Sequence, residues 1–299
     1  MSSSPFIISG TPVYGPRPES PPLDPDTFAL DFTPRPALSQ AGPATVAVFA
    51  GGVLPGRYGE IYGGRVAGAL QIVAIELRSG RVSHRNAERG HTVPLSAAME
   101  PAPAPPAPDE AELESLETYF AVDLRAHLGL PPTAASYGVF LWLDEMTSPV
   151  RVVQLPGPEG AQTPVLPGAG VTDEGFQFRR TEGTPPAAGV EIVLQQRSVA
   201  PGAIRIYGTA APALLATAPQ APGSDYFTVL ALDYRSRSLK WWSYLVPEYA
   251  RLARDLAFDF DLLTLLGGPG WLDATKPPRK AFVLASARGA LSRVLTVEV

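Results

Sequence analysis

Asp123 and Asp261 are the residues of this chain that most resemble catalytic carboxylates. An isolated carboxylate held against a short apolar turn could serve as a general acid or base. Asp123 precedes Leu124-Arg-Ala-His-Leu128 and Gly129, and Asp261 precedes Leu262-Leu-Thr-Leu-Leu266 and Gly267. The same arrangement has a structural meaning. Aspartate caps the free N–H groups at the start of a helical turn, and glycine accepts the left-handed conformation just past its end. Because the arrangement occurs twice, a requirement of a shared fold explains it better than one active site. Each carboxylate is expected to accept a backbone N–H two or three residues onward.

Other chemistry finds little support. There are no cysteines, which excludes disulfides, thiolate metal sites and cysteine nucleophiles. His84, His91 and His127 match no metal-ligand spacing. No G-x-S-x-G elbow is present, so a serine triad has no anchor. Gly51 and Gly56 have phosphate-loop spacing, but Arg57-Tyr58 stands where Lys and Ser or Thr would reach phosphate and magnesium. Asp255, Asp259 and Asp261 offer too few oxygens for calcium and lack its turn signature. Glu76 with Asp233, and Arg78 with Arg235, read as outward-facing hairpin positions. No catalytic, cofactor or metal residue is assigned, and no cofactor is expected.

Two apolar groups are the candidates for binding a partner. Phe28, Leu30 and Phe32 alternate with Ala29, Asp31 and Thr33, so an extended chain places the large groups on one face. They lie in a segment dense in proline, Thr11 to Pro36, which tends to be extended. That arm is either a free tail or a strand docked on a sheet edge or a second subunit. Thr27 to Thr33 is expected to be ordered in the docked form. The second group is Trp241, Trp242 and Tyr244, in Lys240-Trp-Trp-Ser-Tyr244. On a strand the two tryptophans point to opposite faces. Core or interdomain burial, a partner interface and a sugar-stacking platform all suit such residues.

The elements that position these groups come from an internal repeat. Val53-Leu-Pro-Gly56 with Ile61-Tyr-Gly63 resembles Val199-Ala-Pro-Gly202 with Ile206-Tyr-Gly208. Ala74-Ile-Glu-Leu-Arg-Ser79 resembles Ala231-Leu-Asp-Tyr-Arg-Ser236. Phe120-Ala-Val-Asp-Leu124 resembles Phe258-Asp-Phe-Asp-Leu262. Ser148-Pro-Val150 with Val153-Gln-Leu155 resembles Ser292-Arg-Val294 with Val297-Glu-Val299. Short β-branched and aromatic runs, alternating closing segments and a Ser79-Gly80 turn all read as strands and hairpins. Asp109–Glu117 and Pro247–Asp255 read as short helices, with acidic residues or proline early. The expected fold is mainly β: two tandem homologous β-sandwich domains of immunoglobulin-like layout, with short connecting helices, behind an extended Pro-rich arm. A small barrel is the alternative. The expected division is residues 1–42 as arm, 43–155 as the first sandwich, 156–186 as linker and 187–299 as the second.

Composition agrees with that reading. Of 299 residues, 34 are proline and 28 glycine, favouring turns and short strands over long helices. A net charge of −5 offers no basic surface for nucleic acid. No signal peptide or membrane-spanning run is visible, and the chain is expected to be cytoplasmic. Lysine occurs only at Lys240, Lys276 and Lys280, with arginine elsewhere, which reads as codon bias of a GC-rich genome. The leading functional expectation is a non-catalytic structural or interaction subunit, with a protein partner or homo-oligomer. A carbohydrate- or other ligand-binding module is the alternative, and an enzyme with a site at the interdomain cleft is a second.

Overall fold

The structure is a computed structural model. It describes residues 7–8, 13–14, 23–24, 27–39, 44–62, 66–87, 115–157, 176–180, 192–200, 203–211, 226–234, 237–246, 256–266 and 280–298. The first copy contains β1 (Ile7–Ile8), β2 (Val13–Tyr14), β3 (Ala29–Ser39), β4 (Ala44–Pro55), α1 (Arg57–Ile61), α2 (Val66–Ala69), β5 (Gln71–Glu76), β6 (Val82–Asn86) and β7 (Ser115–Asp123). It continues with α3 (Leu124–Leu128), β8 (Ala135–Leu143), β9 (Met146–Thr147) and β10 (Arg151–Leu155). The second copy contains β11 (Phe176–Arg180), β12 (Ile192–Ala200), β13 (Ala203–Ala210), β14 (Tyr226–Asp233), β15 (Leu239–Leu245), β16 (Leu256–Asp261) and α4 (Leu262–Leu266). It ends with β17 (Lys280–Ala287), β18 (Ala290–Leu291) and β19 (Leu295–Glu298).

These strands make two tandem β-sandwiches. The first packs sheet β1-β3-β4-β7-β2 on sheet β10-β8-β5-β6. The second packs sheet β11-β16-β13-β12 on sheet β15-β14-β17, which β18 and β19 extend. Each sandwich has its own core, and alternation explains it. Leu30, Phe32, Val48, Phe120 and Leu141 meet in the first, and Ile206, Phe227, Phe258, Phe260 and Val283 in the second. No helix among the described residues is long and apolar enough to cross a membrane.

Three of the four sequence blocks fall on equivalent elements. β5 matches β14, β7 with α3 matches β16 with α4, and β10 matches β19. Ser148 and Ser292 confirm the last match: the backbone N–H of Leu141 donates to Ser148 Oγ, and that of Ala285 to Ser292 Oγ, both at 2.9 Å. The remaining block is a correction. Val53 lies on β4 and Ile61 on α1, whereas Val199 lies on β12 and Ile206 on β13. Strand pairing matches β4 to β13 instead, because Ala47 faces Asp123 as Arg205 faces Asp261. It then matches β3 to β12, with Phe32 at the place of Leu194. The strand carrying Leu30 and Phe32 is therefore the first full strand of its sheet. β2 on β7 and β11 on β16 also correspond, since Tyr14 faces Phe120 as Phe178 faces Phe258.

A second correction concerns the expected helix at Asp109–Glu117. Its last residues, Ser115-Leu-Glu117, open β7 and pair with Val53, Leu54 and Pro55. A long ladder to β4 outweighs the modest helix propensity of that short run. Residues 109–114, and the whole of the other expected helix, Pro247–Asp255, lie outside the described residues.

Candidate functional site: the junction between the sandwiches

β5, β6 and β8 turn one face to their own core and the other to the second sandwich. Val73, Ile75, Val82, Phe140 and Trp142 pack there against Leu230, Leu232, Leu239, Phe282 and Leu284 of β14, β15 and β17. Under the strand correspondence Val73 matches Leu230, Ile75 matches Leu232, Val82 matches Leu239 and Phe140 matches Leu284. The two copies thus meet through the same face, as in a two-fold dimer whose halves are joined in one chain. Burial of a large aliphatic or aromatic side chain contributes about 1.5–3 kcal/mol. Such a face makes the junction a third core.

Charged residues close the rim. Asp144 and Glu145 form the turn between β8 and β9, while Arg237 sits in the turn between β14 and β15. Asp144 is buried. Its Oδ1 accepts from Arg237 Nη1 at 2.5 Å and its Oδ2 from the Tyr62 hydroxyl at 2.5 Å. Arg237 Nη2 also donates to the carbonyl of Ala69 at 2.7 Å, and the guanidinium lies over the Tyr62 ring. Asp144 and Arg237 both have left-handed backbone, φ 49° and 55°. That is uncommon for a side chain as large as arginine. Trp142 Nε1 donates to the Asp144 carbonyl at 2.8 Å and fixes the turn from inside the junction.

Beside this pair, Lys280 Nζ donates to Glu145 Oε1 at 2.9 Å, and the Tyr58 hydroxyl reaches Glu145 Oε2 at 3.3 Å. Burial opposes ionisation of Glu145, but the hydrogen bond and charge of Lys280 outweigh it and hold the carboxyl below its ordinary range. The same partner raises Lys280 against the opposing effect of its burial. Burial pushes Tyr58 up to about 12, helped by the charges of Glu145 and Asp144. Burial and the bond to Asp144 raise Tyr62 further. Both tyrosines are neutral at physiological pH and act as hydroxyl donors. The cluster couples acids of the first copy to bases of the second, and its groups are engaged with one another.

Sequence reasoning missed this rim, although a signal existed. At equivalent hairpin turns the copies reverse chemistry. Gly80 stands where Arg237 does, and Asp144-Glu145 where Arg288-Gly289 does. A two-fold contact between such turns brings unlike residues together. Gly80 is required on its own side. It has φ 66°, and a Cβ there would lie 2.7 Å from Cβ of Tyr226.

The residues singled out from the sequence are dispersed. Leu30 and Phe32 are buried in the first core, and Phe28 is 45% exposed. Trp242 and Tyr244 pack against the second core and Trp241 against the junction. The tryptophans do point to opposite faces. Asp123 caps α3: its Oδ1 accepts from the Ala126 N–H at 3.0 Å and from Thr45 Oγ1 at 2.5 Å, and Gly129 follows with φ 64°. Asp261 Oδ1 accepts from the Leu263 N–H at 3.1 Å. Asp259 is buried and ion-paired with Arg205. Arg197 also lies 3.9 Å from it, and no group of acidic and histidine side chains among the described residues is placed to hold a metal.

No family model and no curated protein matches the chain. Among solved structures, the two-domain fibronectin type-III segment of chicken tenascin aligns at 8% identity over 91% of this chain and 99% of that one, with a TM-score of 0.19. A bacterial adhesin from Mobiluncus mulieris, containing intramolecular disulfide, isopeptide and ester cross-links, aligns at 9% identity over 88% and 82%, with a TM-score of 0.13. At these scores neither likeness carries an argument, and the fold stands on its own strand pairing.

Proposed function

We propose that this chain is a non-catalytic interaction subunit, a rigid double sandwich that presents its free edges to a protein partner. The junction carries this reading. Its titratable residues are used to fasten one sandwich to the other, so their burial and paired charges have a structural explanation. Fastening of this kind suits a scaffold whose surfaces must keep a fixed relation. A glycan platform would need open, coplanar rings. Trp241, Trp242 and Tyr244 are partly buried against two different clusters, which favours the protein reading. We also divide the chain differently from the sequence expectation. Each copy begins upstream of its first full strand, with β2 and β11 at equivalent places, so arm and linker belong to the two sandwiches.

Purification of the native chain at mild salt tests the proposal. The expected result is a stoichiometric protein complex whose hydrogen-exchange footprint falls on strand edges. A chain that stays monomeric in its native extract and binds an immobilised glycan instead would overturn it.

A further inference from the structure

The hairpin turn after β5 and the turn after β14 are the same turn in the two copies. The Gly80 N–H donates to the Glu76 carbonyl as the Arg237 N–H donates to that of Asp233. Gly80 thus corresponds to Arg237, and by the same register Ala69 corresponds to Tyr226. Across the junction Gly80 lies against Tyr226, while Arg237 Nη2 donates to the Ala69 carbonyl at 2.7 Å. These are one contact seen from its two sides, the signature of a two-fold interface. In both, the small residue belongs to the first sandwich and the large one to the second.

The charges divide in the same way. Asp144 corresponds to Arg288, both with φ 49°, Glu145 to Gly289 and Ser136 to Lys280. The apolar middle of the face is alike in both copies and has no means of telling them apart. The rim does. Two first sandwiches meeting through this face would set Gly80 against Ala69 and leave a gap. Asp144 would then be buried opposite no base, and Glu145 would face Ser136 in place of Lys280. Two second sandwiches would crowd Arg237 against Tyr226 and bring its guanidinium to Arg288. The unlike pairing alone fills the volume and matches the charges, and a buried charge without its partner is the costlier fault.

We infer that the junction is a selective pairing surface, on which Gly80, Ala69 and Asp144 of the first sandwich and Tyr226 and Arg237 of the second exclude association of like with like. The partner that fits this surface from outside is a second copy of the chain, and it enters by exchange, each first sandwich taking the other chain's second. Exchange rebuilds the contacts of the monomer and needs no new surface. Residues 156–175 join β10 to β11. A stretch of that length reaches up to roughly 65 Å when extended. The selectivity goes beyond the interaction reading and holds whatever partner the outer edges receive.

Full-length chains carrying opposite halves of a reversed pair test this. Asp144→Arg sets two arginines together in its own chain, and Arg237→Asp sets two aspartates together. Each alone should melt about 5 °C or more below the parent and lose hydrogen-exchange protection across residues 72–75 and 229–232. Unfolded together in urea and refolded as an equal mixture, they should form a dimer of one chain of each kind, weighed by native mass spectrometry, with that protection restored. Homodimers of either variant in equal yield overturn the inference, as does parental protection in either variant alone. Combined in one chain, the two substitutions should return a protected monomer, and a mixture that then forms no heterodimer also overturns it. If the combined chain stays unprotected, the volume contact decides. Gly80→Asn, a residue that tolerates φ above zero, should open the junction, and Tyr226→Gly in the same chain should close it again. A Gly80→Asn chain that keeps its protection, or is not rescued, overturns the inference.

Discussion

The two sandwiches share a strand plan and differ in how they are finished at the sides. The first uses Asp31, Arg151 and two prolines to close its edge at β3; the second has aliphatic residues and a full set of donors at the matching places. The outer faces of the β4 and β13 sheets differ too. Ala37, Ala47, Phe49 and Ala121 form a buried apolar patch in the first, where the second carries Arg205, Tyr207 and Asp259. Core positions tolerate little change because packing is dense. Edges and outer faces are free to diverge once two copies sit in one chain. A duplicated fold can thus finish its two copies differently.

The junction should be the most sensitive place to break this arrangement. Replacing Arg237 with methionine leaves Asp144 buried without its counter-charge, and should cost about 3–5 kcal/mol in urea unfolding. The double variant with Asp144→Leu should recover much of that loss, because no uncompensated charge remains. A single loss below about 1 kcal/mol would show that the rim does not fasten the copies.

Matched core truncations sharpen the comparison between first strands. Phe32→Ala should cost about 3–5 kcal/mol, the range for a fully buried ring. Leu194→Ala, at the equivalent half-buried place, should cost about 1–2 kcal/mol, since less apolar surface is removed from water in that fold. Equal losses would contradict the difference in edge closure. Chemical denaturation reads both.

The caps should follow at smaller size. Asp123→Ala should cost about 2 kcal/mol, because the carboxylate also holds buried Thr45. Asp261→Ala should cost about 1 kcal/mol.

The smallest effect belongs to Lys280 and Glu145, an exposed pair worth about 0.2–1 kcal/mol. Its pH dependence has a definite sign. The folded carboxyl titrates below its ordinary range, so its contribution is complete above that range and is lost as pH falls through the folded value. Lys280→Met should flatten that acid limb of the stability curve without moving its neutral plateau by more than about 1 kcal/mol. An unchanged acid limb would assign it to other carboxylates.

Parts of this arrangement were legible in the residues alone. Asp123 and Gly129 announce a capped turn because capping is decided within a few residues. The opposite orientation of Trp241 and Trp242 follows from strand geometry alone. The mistaken pairing of Val53 with Val199 shows the limit of such reading. Val-x-Pro-Gly marks a strand running into a turn, and many strands end that way. It does not say which strand. The candidate site was the least legible part, since Asp144 and Arg237 are far apart in sequence and neither stands in a motif.

By itself the sequence determined the mainly β class, the duplication and the caps, all of which rest on period, propensity and hydrogen bonds between near neighbours. Tertiary structure decided that Leu30 and Phe32 face their own core, because an alternating strand has an apolar side whatever sheet receives it. It decided that Trp241 turns to the junction while Trp242 turns to the second core. It decided, too, that Asp144 meets Arg237, because that contact exists only when two complete sandwiches bring their equivalent faces together. Side-chain alternation is a local property of the chain, whereas the partner of a strand, a face or a charge is set by segments distant in sequence.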